Sequence, residues 1–369
     1  MVENQNLIPD LSHLKGVRVI AAMSGGVDSS VMAALLADAG AEVIGVFLNV
    51  WDYSRDETSR HGSCCATEDA YDARRVASHI EIPFYSMDMR KNFRENVIDP
   101  FITDYESGRT PNPCERCNRF VKFGALLDVA DELEAAFVAT GHYVRRRDDE
   151  DGVHIFRGTD TRKDQSYFLA TTNRKQIERI LFPVGHLEKE ETRRLAERFG
   201  LSTAAKHESQ DICFIPAGDR TAFLRREGSS AGFRPGKVVD REGRVLGKHQ
   251  GIAHYTLGQR KGLGLSGGPW NVVGLDGNTA RVVVAPPGEA LIRQVKVDDL
   301  TWIRRPDHAE AITAKLRYQS QPAPCCMFAE GGSMRVEFDT PQQPTAPGQV
   351  AAFYSEDELL GGGIISGVA

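Results

Sequence analysis

The sequence lacks the features of a membrane or secreted protein. No run of apolar residues approaches the roughly 18 that a membrane-spanning helix needs. The first residues, Met-Val-Glu-Asn-Gln, contain neither the basic nor the apolar segment of a secretory signal. The seven cysteines are an odd number scattered along the chain, unlike the even set of a disulfide-rich secreted domain. We therefore expect a cytoplasmic protein with reduced thiols and no membrane partner.

The pattern of short apolar runs predicts three domains. At about 150 residues per domain, a chain of 369 residues has room for two or three. Up to about residue 216, apolar runs alternate with helical patterns, which favours an α/β fold with a parallel sheet covered by helices. Beyond that point, glycine is frequent and turns separate short alternating runs. We predict an α/β domain over residues 1–216, a small β-rich domain over 217–285 and a C-terminal β-barrel over 286–369.

Charge is unevenly distributed along the chain. The net charge is −6, yet the stretch from Arg220 to Lys261 holds ten Lys and Arg against three Asp and Glu. A local excess of this kind is typical of a surface that binds a polyanion. A solvated basic face without a ligand is the alternative, and composition does not separate the two.

The strongest local signal is a glycine-containing turn between a strand and a helix. The apolar run 17–22 leads into residues 24–30, Ser-Gly-Gly-Val-Asp-Ser-Ser, and a helical pattern follows. Adjacent glycines let backbone N–H groups approach a phosphate, and a helix N-terminus adds positive potential. The segment has no Walker A lysine, which excludes a kinase-like phosphate loop. Asp28 is either a helix cap or a carboxylate that holds Mg²⁺ beside bound phosphates.

This segment resembles the PP-loop of the ATP pyrophosphatases, which split ATP into AMP and pyrophosphate while they activate a carbonyl oxygen. The resemblance implies a Rossmann-like fold of the adenine nucleotide alpha hydrolase type for the N-terminal domain, with ATP and Mg²⁺ as cofactors. The nucleotide-site residues that it implies are Ala22, Met23, Ser24, Gly25, Gly26, Val27, Asp28, Ser29 and Ser30. The loop alone leaves open the argininosuccinate, GMP and NAD synthetases and the tRNA-modifying enzymes.

Two cysteines lie at the start of a predicted helix. Asn112 is a suitable cap and Pro113 a suitable first helical residue, which places Cys114 and Cys117 on one face of the first turns. A helix N-terminus favours the thiolate, the form that acts as nucleophile or metal ligand. Cys213 follows later, near the point where the α/β pattern ends. Buried structural cysteines are the alternative interpretation.

Together these segments resemble the tRNA-specific 2-thiouridylases (the MnmA/TrmU family) from end to end. The stretches that carry the resemblance are 109–113, 117–118, 139–143, 163–169, 211–215, 255–264 and 317–318. The resemblance implies adenylation of the C2 oxygen of the wobble uridine in tRNAs for Lys, Glu and Gln, followed by displacement of AMP by sulfur. It implies that Cys117 is the nucleophile and Cys213 the persulfide carrier, and that a cysteine desulfurase or relay protein donates the sulfur.

The same resemblance assigns further binding residues. Leu48 and Gly141, near the ends of predicted strands, would line the adenosine pocket, where ligands bind in open α/β sheets. The residues that it implies for contact with the target base are Asn112, Pro113 and Cys114. Those that it implies for other tRNA contacts are His142, Lys163, Asp164, Gln165, Arg317, Tyr318 and Gln349.

Cys114 departs from the family pattern, because many members have aspartate at this position. The change creates a Cys-x-x-Cys pair, and with Cys213 the three thiols could hold a [4Fe-4S] cluster that delivers the sulfur. A spare thiol at Cys114 is the other interpretation. Two rival functions remain: a synthetase that adenylates a small carbonyl substrate, and a non-catalytic iron-sulfur or RNA-binding module. We also expect Arg145–Arg147 to form a surface turn, because four acidic residues follow directly.

Overall fold

A parallel sheet forms the centre of the N-terminal part. The computed structural model describes residues 9–52, 67–207, 212–215, 218–307 and 309–369. The first strands are β1 (Arg18–Ala22), β2 (Glu42–Asn49), β3 (Phe84–Asp88), β4 (Phe137–Ala139), β5 (Val144–Asp149), β6 (Gly152–Arg157) and β7 (Ile180–Leu181). Five of them pair in parallel in the order β3-β2-β1-β4-β7. This parallel pairing confirms the predicted α/β class. The central strands consist mainly of β-branched and small apolar residues, which suit a sheet that helices cover.

Helices cover this sheet and carry the candidate residues. Their bounds are α1 (Val27–Asp38), α2 (Thr67–His79), α3 (Arg90–Phe93, Arg94–Ile98 and Asp99–Glu106), α4 (Pro113–Arg116, Cys117–Ala125 and Leu126–Glu132), α5 (Arg174–Ile177), α6 (Lys189–Arg198) and α7 (Arg220–Glu227). The middle segments of α3 and α4 are π-helical, a form that is frequent at functional sites. Helix α1 is buried along most of its length because its residues are small and apolar. No helix in the described ranges is long and apolar enough to cross a bilayer.

The C-terminal half contains a small sheet and a closed barrel. The strands of the small sheet are β8 (Gly236–Val239), β9 (Val245–His249), β10 (Asn271–Asp276) and β11 (Arg281–Ala285), in the order β10-β11-β8-β9. Those of the barrel are β12 (Ile292–Trp302), β13 (Thr313–Lys315), β14 (Ala323–Glu330), β15 (Ser333–Gln342), β16 (Val350–Ser355) and β17 (Glu358–Val368). The barrel strands follow the order β12-β15-β14-β13-β16-β17, and pairing of β12 with β17 closes the ring. Closure leaves no open sheet edge within the barrel.

The hairpin β5–β6 belongs to the N-terminal part of the sequence but joins the barrel sheet. Phe156 of β6 pairs with Glu358 of β17. The expected surface turn at Arg145–Arg147 is therefore wrong, because these residues lie within β5. Arg146 Nη1 donates to the carbonyl oxygens of Ile177 at 3.0 Å and Ile180 at 2.7 Å, so this side chain ties the hairpin to the end of α5 and the start of β7.

A chain of polar and charged side chains strengthens this connection. His154 Nδ1 lies 2.7 Å from Glu358 Oε1. Arg304 Nη2 donates to Glu358 Oε2 at 2.8 Å and to Glu310 Oε1 at 2.6 Å. Hydrogen bonds from the Arg304 guanidinium lower the pKa of Glu310 from 4.5 to about 2. One guanidinium thus holds two carboxylates from different segments of the barrel.

We expect the Glu310 ion pair to make stability depend on acid pH. Because the pKa is lower in the folded state, the stabilisation is complete above about pH 4.5 and is lost as the pH falls towards 2. Between about pH 5 and pH 2 the protein should lose ~1–2 kcal/mol more unfolding free energy than its Glu310→Gln variant, since solvent screens part of the interaction. Urea unfolding of both proteins at the two pH values measures this difference. An equal loss in both would contradict the expectation.

Candidate active site

Residues 23–30 form a tight loop between β1 and α1. Gly25 has a φ of +74°, and Lys206 Nζ donates to its carbonyl oxygen at 3.0 Å. The backbone N–H of Ser24 donates to Ser29 Oγ at 3.1 Å. These contacts fix the loop just ahead of the α1 N-terminus, whose N–H groups favour an anion. Of the predicted nucleotide-site residues, Met23, Gly25, Val27, Ser29 and Ser30 are buried, Ala22, Gly26, Asp28, Leu48 and Gly141 are partly exposed, and Ser24 is exposed.

Three glycines around this loop have different roles. A Cβ atom on Gly25 would lie 2.2 Å from the carbonyl oxygen of Asp69, and one on Gly141 would lie 2.7 Å from a backbone nitrogen in α1. Packing within the protein therefore requires both. Gly26 has an ordinary φ of −93°, and its Cβ would meet, among the described atoms, Ser24 Oγ at 3.5 Å. Because packing leaves room there, the absence of a side chain at position 26 suits the close approach of a ligand, and ATP phosphates fit this cradle.

Asp28 is held by two side chains from distant parts of the chain. Lys189 Nζ donates to Oδ1 at 2.7 Å and to Oδ2 at 2.8 Å. The phenol of Tyr143 donates to Oδ1 at 2.8 Å. The side chain of Lys189 is only 8% exposed, so the ion pair is largely shielded from water. Both carboxylate oxygens are therefore engaged by donors.

This arrangement does not fit the predicted Mg²⁺ ligand role of Asp28. A cation would have to displace the Lys189 ammonium from the same two oxygens. In the described ranges, no three His, Cys, Asp or Glu side chains are grouped so that they could hold a metal ion. We therefore derive no catalytic step through Mg²⁺ at Asp28, and we assign that residue the positioning of Lys189 at the loop.

Helix α4 begins as the sequence predicts. Asn112 Oδ1 accepts a hydrogen bond from the N–H of Glu115 at 3.3 Å, and Pro113 is the first helical residue. The side chains that follow enter different environments, because Cys114 is exposed whereas Cys117 is buried. Glu115 between them is 2% exposed, and burial raises the pKa of its carboxyl group. The two cysteines thus differ in their exposure to solvent.

Cys117 and Cys213 meet in one apolar cluster. Cys117 is 9% exposed and belongs to the same buried cluster as Phe214. Cys213 is partly buried and packs against this cluster. Leu48, at the end of β2, packs against the same cluster. Trp51 lies 6.4 Å from Phe214, measured between ring centroids. The structure therefore brings three predicted site residues together beside the carboxyl end of the parallel sheet, in largely apolar surroundings.

The predicted base-binding residues lie where the barrel meets α4. Gln349 Nε2 donates to the carbonyl oxygen of Thr110 at 2.7 Å and thereby holds the loop that precedes Asn112. Burial, with the nearby charges of Asp164 and Cys114, raises the pKa of the Tyr318 phenol. Asp164 and Cys114 are thus both within electrostatic range of the Tyr318 phenol. An acidic cleft of about 630 Å³ opens beside this junction.

Other predicted tRNA-binding residues have partners inside the protein. Asp164 is 6% exposed and its Oδ1 accepts from the backbone N–H groups of Gly158 and Ser166, at 3.2 and 3.0 Å. Gln165 Oε1 accepts from the N–H of Tyr143 at 3.0 Å. Arg317 Nη2 donates to the carbonyl oxygen of Leu257 at 3.1 Å, and Lys163 is partly exposed. Burial and Lys122 hold the pKa of His142 well below its usual range, and its Nδ1 lies 2.9 Å from Thr140 Oγ1.

Comparison with known proteins identifies the family. Three family models match successive parts of the chain: a tRNA methyl transferase HUP domain over residues 17–217, a tRNA methyl transferase PRC-barrel domain over 222–286 and an aminomethyltransferase beta-barrel domain over 292–365. The tRNA-specific 2-thiouridylase MnmA of Geobacter metallireducens is 48% identical over 356 residues, which cover 94% of this chain and 96% of that protein. The chain belongs to the tRNA-specific 2-thiouridylase family. The corresponding protein of Rhodospirillum centenum is 46% identical, with coverage of 94% and 91%, and that of Magnetococcus marinus is 44% identical, with coverage of 94% and 98%.

Within this 2-thiouridylase fold the three cysteines do not form the predicted cluster site. Cys117 and Cys213 belong to one apolar cluster, whereas Cys114 is exposed and its charge raises the pKa of the Tyr318 phenol. No three-residue metal site is found among the described side chains, which include all three cysteines. The donor set therefore does not fit a [4Fe-4S] cluster. Asp211, which belongs to a stretch that resembles the family, lies outside the described residues.

Two lysines at the 2-thiouridylase PP-loop could not be found from the sequence. Lys189 reaches Asp28 from 161 positions away, and Lys206 reaches Gly25 from 181 positions away. Lys206 Nζ also donates to Asp69 Oδ1 at 2.5 Å, which ties α2 to the loop. Each lysine lies in a polar stretch without a recognisable motif, so the contacts are visible only in three dimensions.

Proposed function

We propose that this protein is an ATP-dependent tRNA-uridine 2-sulfurtransferase that makes 2-thiouridine at the wobble position of tRNAs for Lys, Glu and Gln. The observation that supports it best is the meeting of Cys117 and Cys213 in one apolar cluster that includes the end of β2. Strand β2 lies next to β1, which leads into the phosphate loop. Family membership supports the reaction class, tRNA-uridine 2-thiolation, for the chain as a whole.

In the first step the C2 oxygen of uridine attacks the α-phosphorus of ATP. A P–O bond forms to that oxygen, the bond to pyrophosphate breaks, and N3 loses its proton. The loop of residues 24–30 would hold the phosphates, with the α1 N-terminus and Lys189 as positive groups nearby. Adenylation turns the C2 oxygen into a good leaving group, which sulfur requires.

In the second step the terminal sulfur of a persulfide on Cys213 attacks C2 and AMP leaves. The Cys117 thiolate then attacks the Cys213 sulfur and breaks its bond to the transferred sulfur. 2-Thiouridine is released and N3 regains a proton, while the two cysteines are left as a disulfide. A thiol reductant must supply two electrons, and a sulfur-donor protein a new persulfide, before the next turnover. The apolar cluster would protect the persulfide from water.

The remaining assignments belong to the same proposal. ATP would be accompanied by Mg²⁺, bound through its own phosphates. The PP-loop domain would span 1–216, the connector 217–285 and the barrel 286–369. The protein would act in the cytoplasm, with tRNA as substrate and a sulfur-donor protein as partner. Cys114 would border the target base together with Asn112 and Pro113, which lie beside it at the start of α4.

The test is thiolation of tRNA that lacks 2-thiouridine. The protein, purified without oxygen and stripped of iron, is incubated with this tRNA, ATP, Mg²⁺ and a persulfide donor, and nucleosides are analysed by mass spectrometry. We expect one 2-thiouridine and one AMP per tRNA. AMP formation without tRNA would favour a small-molecule synthetase, methylated uridine would favour methyl transfer, and activity that follows iron content would favour a cluster mechanism.

A further inference from the structure

Lys315 is a buried lysine on the outer wall of the barrel. In β13, Ala314 points into the barrel core, and strand alternation turns Lys315 to the opposite face, towards the N-terminal domain. Only 8% of Lys315 is exposed. Its Nζ lies 5.8 Å from the ring centroid of Tyr167 and 5.5 Å from that of Tyr318. Among the described residues, no hydrogen-bond acceptor and no ion-pair partner contacts its Nζ.

The charged groups around Lys315 do not fully neutralise its ammonium group. Asp164 is the nearby acid, yet its Oδ1 already accepts two backbone N–H groups. Arg157 contributes a second positive charge, with its guanidinium 4.5 Å from the ring centroid of Tyr354. Burial therefore lowers the pKa of Lys315. An ammonium group in such a place is unfavourable unless a ligand supplies an acceptor.

The surroundings identify the chemistry of that ligand. Tyr318 keeps 36% of its surface exposed and lies 4.6 Å from the Phe168 ring, measured between centroids. An exposed aromatic ring beside a cation suits a nucleotide, because the base contacts the ring and the phosphate pairs with the ammonium. The Cys114 thiol, at the start of α4, is within electrostatic range of the Tyr318 phenol.

We propose that Lys315 is a tRNA-binding residue whose ammonium pairs with a backbone phosphate of the nucleotide that packs against Tyr318. This inference rests on the proposed function, since it deepens how the same enzyme holds its substrate. ATP is the other source of such a phosphate, and the affinity of Lys315→Met for ATP distinguishes the two sources. The barrel, through Lys315, contributes directly to the site in which the target uridine is positioned.

Equilibrium binding of unmodified tRNA to the full-length protein without ATP tests the proposal. The variants are Lys315→Met, Lys315→Arg and the control Lys296→Met. Lys296 is exposed on β12, and β12 and β13 are on opposite sides of the six-strand ring. Loss of one phosphate contact should raise the Kd of Lys315→Met about tenfold and lower the slope of log Kd against log salt by about one. Lys315→Arg, which keeps the charge, should retain the salt slope.

Two further measurements separate the outcomes. ATP affinity should be unchanged in Lys315→Met, so a loss of ATP binding with normal tRNA binding would overturn the proposal. A Kd and salt slope equal to those of the control would also overturn it. If Lys315→Met does not fold, Lys315→Arg and Lys315→Gln provide the comparison, and equal salt slopes in these two would count against a charge contact. Thiolation by the unaltered protein, measured in parallel, shows whether the proposed function itself holds.

Discussion

Replacement of Cys117 or Cys213 by serine should abolish tRNA thiolation. Each variant should lose at least ~10³-fold in the rate of 2-thiouridine formation, because Cys213→Ser cannot carry the persulfide and Cys117→Ser cannot release the transferred sulfur from Cys213. Serine is close in size to cysteine, so the apolar cluster around Phe214 should remain folded. Mass spectrometry of nucleosides, together with thermal unfolding, measures both effects.

Cys114→Ala is the matched control for these two variants. Cys114 is exposed at the same helix start and lies outside the cluster that contains the other two cysteines. We expect Cys114→Ala to keep its thiolation rate within about tenfold of that of the unaltered protein. Without a thiol reductant, the unaltered protein should stop after about one product per site, because the disulfide is not reduced. Retained thiolation in Cys117→Ser would remove that residue from the mechanism, and complete loss in Cys114→Ala would restore the three-cysteine alternative.

Gly26→Ala should separate ATP binding from stability. The backbone at Gly26 accepts alanine, and its Cβ would meet Ser24 Oγ at an ordinary 3.5 Å. Unfolding free energy should therefore stay the same or rise by ~0.4–1 kcal/mol. ATP affinity should fall at least about tenfold, because the methyl group fills space that the phosphates need. Isothermal titration with ATP and urea unfolding measure the two quantities.

Gly25→Ala is the comparison that fixes the interpretation. At a φ of +74°, with Asp69 O only 2.2 Å from the new Cβ, alanine should destabilise the fold by ~2–5 kcal/mol. The two adjacent glycines thus predict opposite results in the stability measurement. Normal ATP affinity in Gly26→Ala would mean that the phosphates do not approach this part of the loop.

Local chemistry made parts of the fold and site predictable. The start of α4 follows from an Asn cap and a Pro at the first helical position, and both depend only on neighbours in sequence. The parallel sheet follows from apolar runs that alternate with helical patterns. The meeting of Cys117 with Cys213 came from family resemblance, since a separation of 96 positions along the chain carries no information about their distance in space.

Contacts between distant segments were not predictable. Asp28 looked like a Mg²⁺ ligand because nothing in the sequence links it to Lys189 or Tyr143. The arginines of β5 looked like a surface turn because four acidic residues follow them, whereas they lie in the β5–β6 hairpin, and Arg146 bonds to carbonyl oxygens 31 and 34 positions further along the chain. In the basic stretch 220–261, some arginines bond to carbonyl oxygens of later residues. Arg234 donates to Gly277 O at 2.6 Å, and Arg241 donates to Glu289 O at 2.8 Å. Composition records such charges but not their partners.

The pairing of β6 with β17 affects how the chain is made. His154 of the hairpin contacts Glu358 across 204 positions. At about 5–20 residues per second, a ribosome needs roughly 10–40 s to add that length, and N-terminal domains fold while synthesis continues. During this interval β6 presents an edge with no barrel strand beside it, a template for pairing with other chains. Strand β17 therefore covers the edge of β6 only after it has been synthesised. A chain whose translation stops before residue 358 has neither a closed barrel nor a partner for this edge.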